Sequence, residues 1–192
     1  MPIKILAISG SSRQGSLNKQ LLDAAINIAR TLGAEVTLVD LQALALPIYD
    51  GDLEATSGLP DGCVALKQAL AGHDALLLAS PEYNGFFSPL LKNAIDWASR
   101  PQAGQPSPFG GKLAALLAAS PGALGGIRGL PAVRQLLSNL GVLVVPGQMS
   151  LPRAHEAFDA QGNLRDPAQH EMLEKMIMEL LVTTRAVRQA RA

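Results

Sequence analysis

The densest run of hydrogen-bond donors in the chain is Ser9-Gly10-Ser11-Ser12-Arg13-Gln14-Gly15-Ser16-Leu17-Asn18. It leaves a short apolar run, opens a helical pattern at Leu17, and carries four serines, one arginine and two glycines. The first N–H groups of a helix have no intrahelical partner and bear partial positive charge. Together with the hydroxyls of Ser11 and Ser16, the Arg13 fork and the Asn18 amide, they offer what a terminal phosphate monoester requires. The run matches neither G-x-x-x-x-G-K-[ST] nor G-x-G-x-x-G, so metal-nucleotide and dinucleotide mechanisms lose their specific support. The plainer alternative is that Ser16 caps the helix and Gly10 makes a turn. Lys19, three positions after Ser16, does not complete a capping box.

A second run, Ser80-Pro81-Glu82-Tyr83-Asn84-Gly85-Phe86-Phe87-Ser88-Pro89, holds one of the two tyrosines and two of the four phenylalanines of the chain. Such a segment can supply stacking faces and backbone groups to a flat heteroaromatic ring with a polar edge. The alternative is a tight Asn84-Gly85 turn whose phenylalanines fold back into the core or a subunit interface. A third run, Ser120-Pro121-Gly122 through Gly129, is glycine-rich enough to let backbone approach a ligand. Ser120 and Gly122 are its candidate accessory contacts.

These runs must be positioned by the elements before them. Ile3–Ser9, Val36–Asp40, Asp74–Ser80, Lys112–Ser120 and Val142–Gly147 are short apolar runs that end in Gly, Pro, Ser or Asp, the pattern of buried parallel strands. Between them, Leu17 to Leu32 and Leu130 to Leu140 carry helical apolar stripes. Asp61–Gly72 and Pro89–Arg100 add two more helices with proline at or near the start, and Pro167–Arg191 is the last. Five strands alternating with five helices predict an α/β fold, a doubly wound parallel sheet with helices on both faces. The flavodoxin-like strand order 2-1-3-4-5 is the expectation for five strands. It places a ligand crevice at the carboxyl ends of strands 1 and 3, where the first two runs begin.

Composition limits the remaining classes. Lys+Arg 16 against Asp+Glu 16 leaves no net field to attract nucleic acid or an anionic membrane, so neither is an expected partner. The longest apolar run, Leu113 to Ala119, is far short of the ~18 to 20 residues a membrane span needs. Ile5 to Ile8 is too short for the apolar region of an export signal, and the single Cys63 fits a reducing compartment. The expected location is cytoplasmic. With 192 residues, 48% of them hydrophobic, the chain is expected to form one domain spanning 1–192. His73, His155 and His170 have no partner at ligand spacing, so no metal site is expected.

The quoted residues resemble the NAD(P)H-dependent FMN reductase family of flavodoxin-like proteins, which includes quinone, azo-dye and chromate reductases. The resemblance rests on Gly10-Ser11-Ser12-Arg13 with Ser16 and Asn18, on Pro81-Glu82-Tyr83-Asn84-Gly85, and on Pro89-Leu90-Leu91-Lys92-Asn93-Ala94-Ile95-Asp96-Trp97. It covers residues 3 to about 147. It implies FMN held by its phosphate at Ser11, Arg13, Ser16 and Asn18, with Leu17 opening the helix there, and the ring lying along Pro81 to Gly85. It also implies NADPH or NADH as hydride donor, ping-pong transfer to quinones, free flavin, azo dyes or chromate, and a homodimer or homotetramer.

In that chemistry the flavin carries the reaction, and no side-chain acid or base is required. Two other classes stand beside it: a flavodoxin-like electron carrier without turnover of its own, and a non-flavin α/β binding domain. A carrier usually steers partners with a strongly charged face, which a chain of zero formal charge lacks. Phe86, Phe87 and Trp97 are expected to be exposed beside the helix at 89–100, ready to bury against a second copy. Lys92 and Asp96 are spaced to pair on that helix, and Arg185, Arg188 and Arg191 read as a solvated helix end.

Overall fold

The computed structural model describes residues 1–191. Chain order is β1 (Lys4–Ser9), α1 (Leu17–Thr31), β2 (Glu35–Asp40), α2 (Gly51–Ser57), α3 (Asp61–Ala71), β3 (Ala75–Ala79), β4 (Glu82–Tyr83), β5 (Phe86–Phe87), α4 (Pro89–Ala98), β6 (Leu113–Ala119), α5 (Gly129–Asn139), β7 (Leu143–Leu151) and α6 (Pro167–Ala190), with a 3-10 turn at Ala154–Glu156. The five longer strands form one sheet in the order β2-β1-β3-β6-β7, every pairing parallel. Counted along the chain this is the expected 2-1-3-4-5 order, and the fold is flavodoxin-like.

Every residue of β3 and β6 is buried, which is why these segments read as unbroken apolar runs instead of alternating ones. Two helices cover one face: Leu21, Leu22 and Ala25 of α1 pack with Leu173, Ile177 and Leu180 of α6. Three cover the other, through Leu66 and Leu70 of α3, Leu91 and Ile95 of α4, and Leu130, Val133 and Leu137 of α5. The edge strand β2 has no fully buried residue.

The structure departs from the sequence reading at several points. β7 continues past Gly147 to Leu151, because a register shift opposite Ala114–Leu116 accommodates Pro146, whose nitrogen cannot donate to a ladder. α2 gives no apolar signal because none of its residues is buried; Asp50 starts it by accepting from the N–H groups of Asp52 and Leu53. Trp97 is fully buried, not exposed: its ring meets Tyr49 edge-on at 5.0 Å and Nε1 donates to the Pro47 carbonyl at 2.7 Å. Phe87 is buried as well, and Phe86 alone of the three is open, at 55% exposure. Lys92 and Asp96 do pair, at 2.7 Å. Arg188 is not a merely solvated helix end, since it donates to the carbonyls of Met1 and Pro2.

Because β1, β3 and β6 are adjacent and parallel, their carboxyl ends lie side by side at one sheet edge. The three runs singled out in the sequence follow those ends.

Candidate functional site

The β1–α1 and β3–α4 loops are fastened to each other. The Gly10 N–H donates to the Ala79 carbonyl at 2.8 Å, and the Ser88 hydroxyl donates to the Gly10 carbonyl at 2.6 Å. Ser88 also caps α4 by accepting from the Leu91 N–H, with Pro89 at the first helical position. A Cβ on Gly10 would lie 2.8 Å from Ser88 Oγ and 3.2 Å from Leu91 Cβ. Glycine is therefore required there for close approach.

A cleft of about 150 Å³ opens between these loops and the end of β6. Its walls are Ser11, Arg13, Ser16, Leu17 and Asn18 on one side, Pro81, Glu82 and Tyr83 on another, and Ala119, Ser120 and Pro121 on the third. The fold thus brings nine of the twelve expected site residues to one cavity. Asn84, Gly85 and Gly122 lie outside its lining. Asn84 and Gly85 both have positive φ, 54° and 81°, and form the two-residue turn of the β4–β5 hairpin.

At the α1 end the capping and ligand readings coexist. Ser16 caps α1, its Oγ accepting from the Lys19 N–H at 3.4 Å, and Ser11 Oγ accepts from the Arg13 N–H at 3.4 Å. Accepting a bond leaves each hydroxyl its own O–H to donate. The amides of Leu17 and Asn18 belong to the first helical turn and have no partner one turn back. The exposed Arg13 guanidinium stands at the rim.

Two of the expected ligand residues are engaged elsewhere. The buried Asn18 side chain donates to the Ala119 carbonyl at 2.9 Å and accepts from the Ala119 N–H at 3.0 Å. It joins α1 to the end of β6, leaving one amide proton for anything in the cleft. The Glu82 carboxylate accepts from the Arg128 backbone N–H at 2.9 Å and from Arg128 Nε at 2.7 Å. α5 has no side-chain cap of its own, so Glu82 caps it from another loop. Burial of the Glu82 side chain would raise its pKa, but the hydrogen bonds and charge of Arg128 and the Gly129 amide outweigh this and hold it below the ordinary carboxylate value. A Cβ on Gly129 would come 3.3 Å from the Phe86 carbonyl, so the hairpin sits directly on the first turn of α5.

Sequence reasoning therefore missed Arg128 as the clamp on the third loop and Ser88 as the bolt between the first two. Ser88 had a legible signal, Ser-Pro ahead of an apolar helix. Arg128 had none, because its partner lies 46 residues away.

Donors of the β1–α1 loop and the half-exposed Tyr83 of the β3–α4 loop line the same cleft. At about 150 Å³ the cavity is below the ~300 Å³ that encloses a whole small ligand. Its donor set is of the kind that holds a phosphate, and Pro81, Glu82 and Tyr83 share its lining. Among the described residues there is no group of three or more His, Cys, Asp or Glu side chains that could hold a metal. Cys63 is buried and donates to the Trp97 carbonyl; burial pushes its pKa up, opposite to what activates a thiol. No helix among the described residues is long and apolar enough to cross a membrane.

Residues 3–156 match the family described as NADPH-dependent FMN reductase. The chain is 40% identical over 188 residues to an NAD(P)H-dependent FMN reductase of Pseudomonas aeruginosa, covering 97% of each protein. It is 35% identical over 181 residues to a probable NADPH:quinone oxidoreductase of Oryza sativa, covering 93% of this chain and 87% of that one. Among solved structures, a flavoenzyme NAD(P)H:(acceptor) oxidoreductase from Paracoccus denitrificans superposes with a TM-score of 0.82 at 29% identity, covering 96% of this chain and 98% of that one.

Proposed function

The chain belongs to the NADPH-dependent FMN reductase family, and from that membership we propose that it works as an NAD(P)H-dependent, FMN-containing oxidoreductase whose acceptors are quinones and similar small molecules. FMN held in the cleft would supply the redox chemistry, an acceptor for hydride from NADPH or NADH and a donor to the second substrate, as a ping-pong cycle requires. The protein's part is binding and orientation.

In this reading the Ser11 and Ser16 hydroxyls, the Arg13 guanidinium and the first-turn amides of Leu17 and Asn18 hold the phosphate, aided by the positive end of α1. The Pro81–Tyr83 backbone and the Tyr83 ring bear on the flat ring, with Asn84 and Gly85 turning the hairpin at its edge. The Glu82–Arg128 pair keeps the second and third walls together, and Ser120 with Gly122 lies alongside. What supports the assignment is the meeting of three loops at the winding-reversal edge, where donors of one loop and an aromatic residue of another line a single cleft.

The open mouth, with Tyr83 50% and Phe86 55% exposed, calls for a cover, and a second copy of the chain is the proposed one, in a homodimer or homotetramer. The proposal extends to one domain over 1–192 and a cytoplasmic location, where azo dyes, chromate and free flavin are further acceptors to try.

The test is to titrate purified protein with FMN, then follow oxidation of NADPH and NADH with a benzoquinone. Saturable flavin binding and many turnovers per protein are expected. Protein that takes up no FMN overturns the reading, and FMN-loaded protein that oxidises a single equivalent of NADPH is a carrier instead.

A further inference from the structure

We propose that the chain carries a second anion site, built for a phosphoryl group, at the sheet edge opposite the flavin cleft. A cleft of about 440 Å³ lies there, roughly three times the volume of the flavin cleft and within the ~300–1,000 Å³ typical of small-molecule sites. It is formed where β3 and β6 begin and α6 ends. Lys112, Arg188 and Arg191 line it, and among the described residues Asp74 is the one carboxylate in its wall.

The charges do not balance. Asp74 is already engaged by the Lys4 N–H at 2.9 Å and by Arg188 at 3.4 Å. Among the described residues, Lys112 and Arg191 have no carboxylate within ion-pair distance. The helices α3 and α6 point their carboxyl ends toward this edge, each worth about half a negative charge. Among the described residues, those two half-charges and one carboxylate, set against three cations, leave about one positive charge unanswered.

Helix-end neutralisation alone would be met by side chains in water. It does not account for Lys112, which is 8% exposed, donates to the His73 carbonyl, and is held below the ordinary lysine pKa by burial. A buried ammonium needs acceptors for its N–H groups: Lys67, as deeply buried, has the carbonyls of Ala98 and Arg100, whereas Lys112 has only that of His73 among the described residues.

Arg191 is held over the start of β6 by the bond it donates to the Gly111 carbonyl at 2.7 Å. With one carbonyl contact each, Lys112 and Arg191 retain further N–H groups. A point charge and the forked guanidinium of Arg191 suit the oxygens of a phosphate better than a single carboxylate, while Arg188, engaged by the Met1 and Pro2 carbonyls and Asp74, adds only its charge. The apolar wall is small and aliphatic, Ala71, Leu113 and Val187, so a stacked base is not what it receives. The occupant is a phosphate on a small aliphatic body, or a free inorganic phosphate or diphosphate.

Calorimetric titration of FMN-saturated protein tests this with the flavin cleft filled. Inorganic phosphate, pyrophosphate and glycerol 3-phosphate are the probes, with citrate as the carboxylate control. One-to-one binding of a phosphate probe is expected, weakened about tenfold or more by Lys112→Met and several-fold by Arg191→Gln. Arg191 is exposed, so that variant keeps the test open if Lys112→Met does not fold. Tighter binding of glycerol 3-phosphate than of the inorganic probes identifies an ester as the ligand, and the reverse order identifies free phosphate. No binding, binding that FMN displaces, binding untouched by both substitutions, or citrate tighter than every phosphate overturns the proposal.

Discussion

Asn18 separates scaffold from ligand contact more sharply than any other residue of the site. Replacing it with Leu, close in volume, removes two buried hydrogen bonds to one residue, of 2.9 and 3.0 Å, each worth about 1 kcal/mol net. It also leaves the N–H and C=O of Ala119 without these partners at a position 4% exposed, where an orphaned group costs about 1–3 kcal/mol. The two descriptions overlap, and together they place the loss at about 2–4 kcal/mol. For a chain of 192 residues that corresponds to a fall in Tm of roughly 5–15 °C. The assay is urea unfolding of FMN-free protein, so that ligand binding adds nothing to the measured stability. Asn18→Asp retains an acceptor for the Ala119 N–H but sets a carboxylate against the Ala119 carbonyl, and should be nearly as damaging. If Asn18→Leu unfolds within about 0.5 kcal/mol of the parent while FMN affinity falls tenfold, the staple is wrong and the amide is a ligand donor.

Arg13→Ala should have the opposite signature: the exposed guanidinium contributes little to folding, and its loss should weaken FMN by about 1.5–3 kcal/mol in a fluorescence titration with the unfolding midpoint unchanged. The Glu82 carboxyl, held below its ordinary value by Arg128, stabilises the fold at pH above the unfolded carboxylate value and loses that contribution as pH falls through the folded one. The stability gap between parent and Glu82→Gln should therefore be constant near neutrality and shrink on acidification below about pH 4, and a gap that widens with acid contradicts the clamp. The half-exposed Phe86 is expected at a subunit contact, so the protein should run as a dimer or tetramer by light scattering at micromolar concentration, with Phe86→Ser loosening it; a monomeric parent contradicts the covering subunit.

The five strands of the parallel sheet and the five principal helices were legible because their signals are local, whereas the β4–β5 hairpin read only as a loop. An apolar run as short as Leu113–Ala119, closed by Ser120-Pro121-Gly122, has the length of a strand covered on both faces, and Ser88-Pro89 announces α4 within two residues. The location of the site followed from the fold, since adjacent parallel strands must present the loops after β1, β3 and β6 together. What could not be read was how each side chain in those loops divides its hydrogen bonds. Asn18 and Glu82 have the right chemistry in the right loops, yet their polar atoms are largely engaged by partners 101 and 46 residues away. Trp97 was misplaced for the same reason: its burial depends on the segment carrying Pro47 and Tyr49, which has no apolar period of its own.

A donor in a candidate cleft becomes a ligand residue only after the backbone has taken its share, and that share is set by tertiary contacts. By this measure Ser11, Ser16 and Arg13 retain free donors where Asn18 retains one and Glu82 offers the cleft little beyond its backbone. The phosphate end of the proposed site thus rests on fewer side chains than the sequence offered, with the first-turn amides of α1 carrying more of the binding. Loss of Arg13 should accordingly weaken FMN without abolishing it, since helix amides cannot be removed by side-chain substitution.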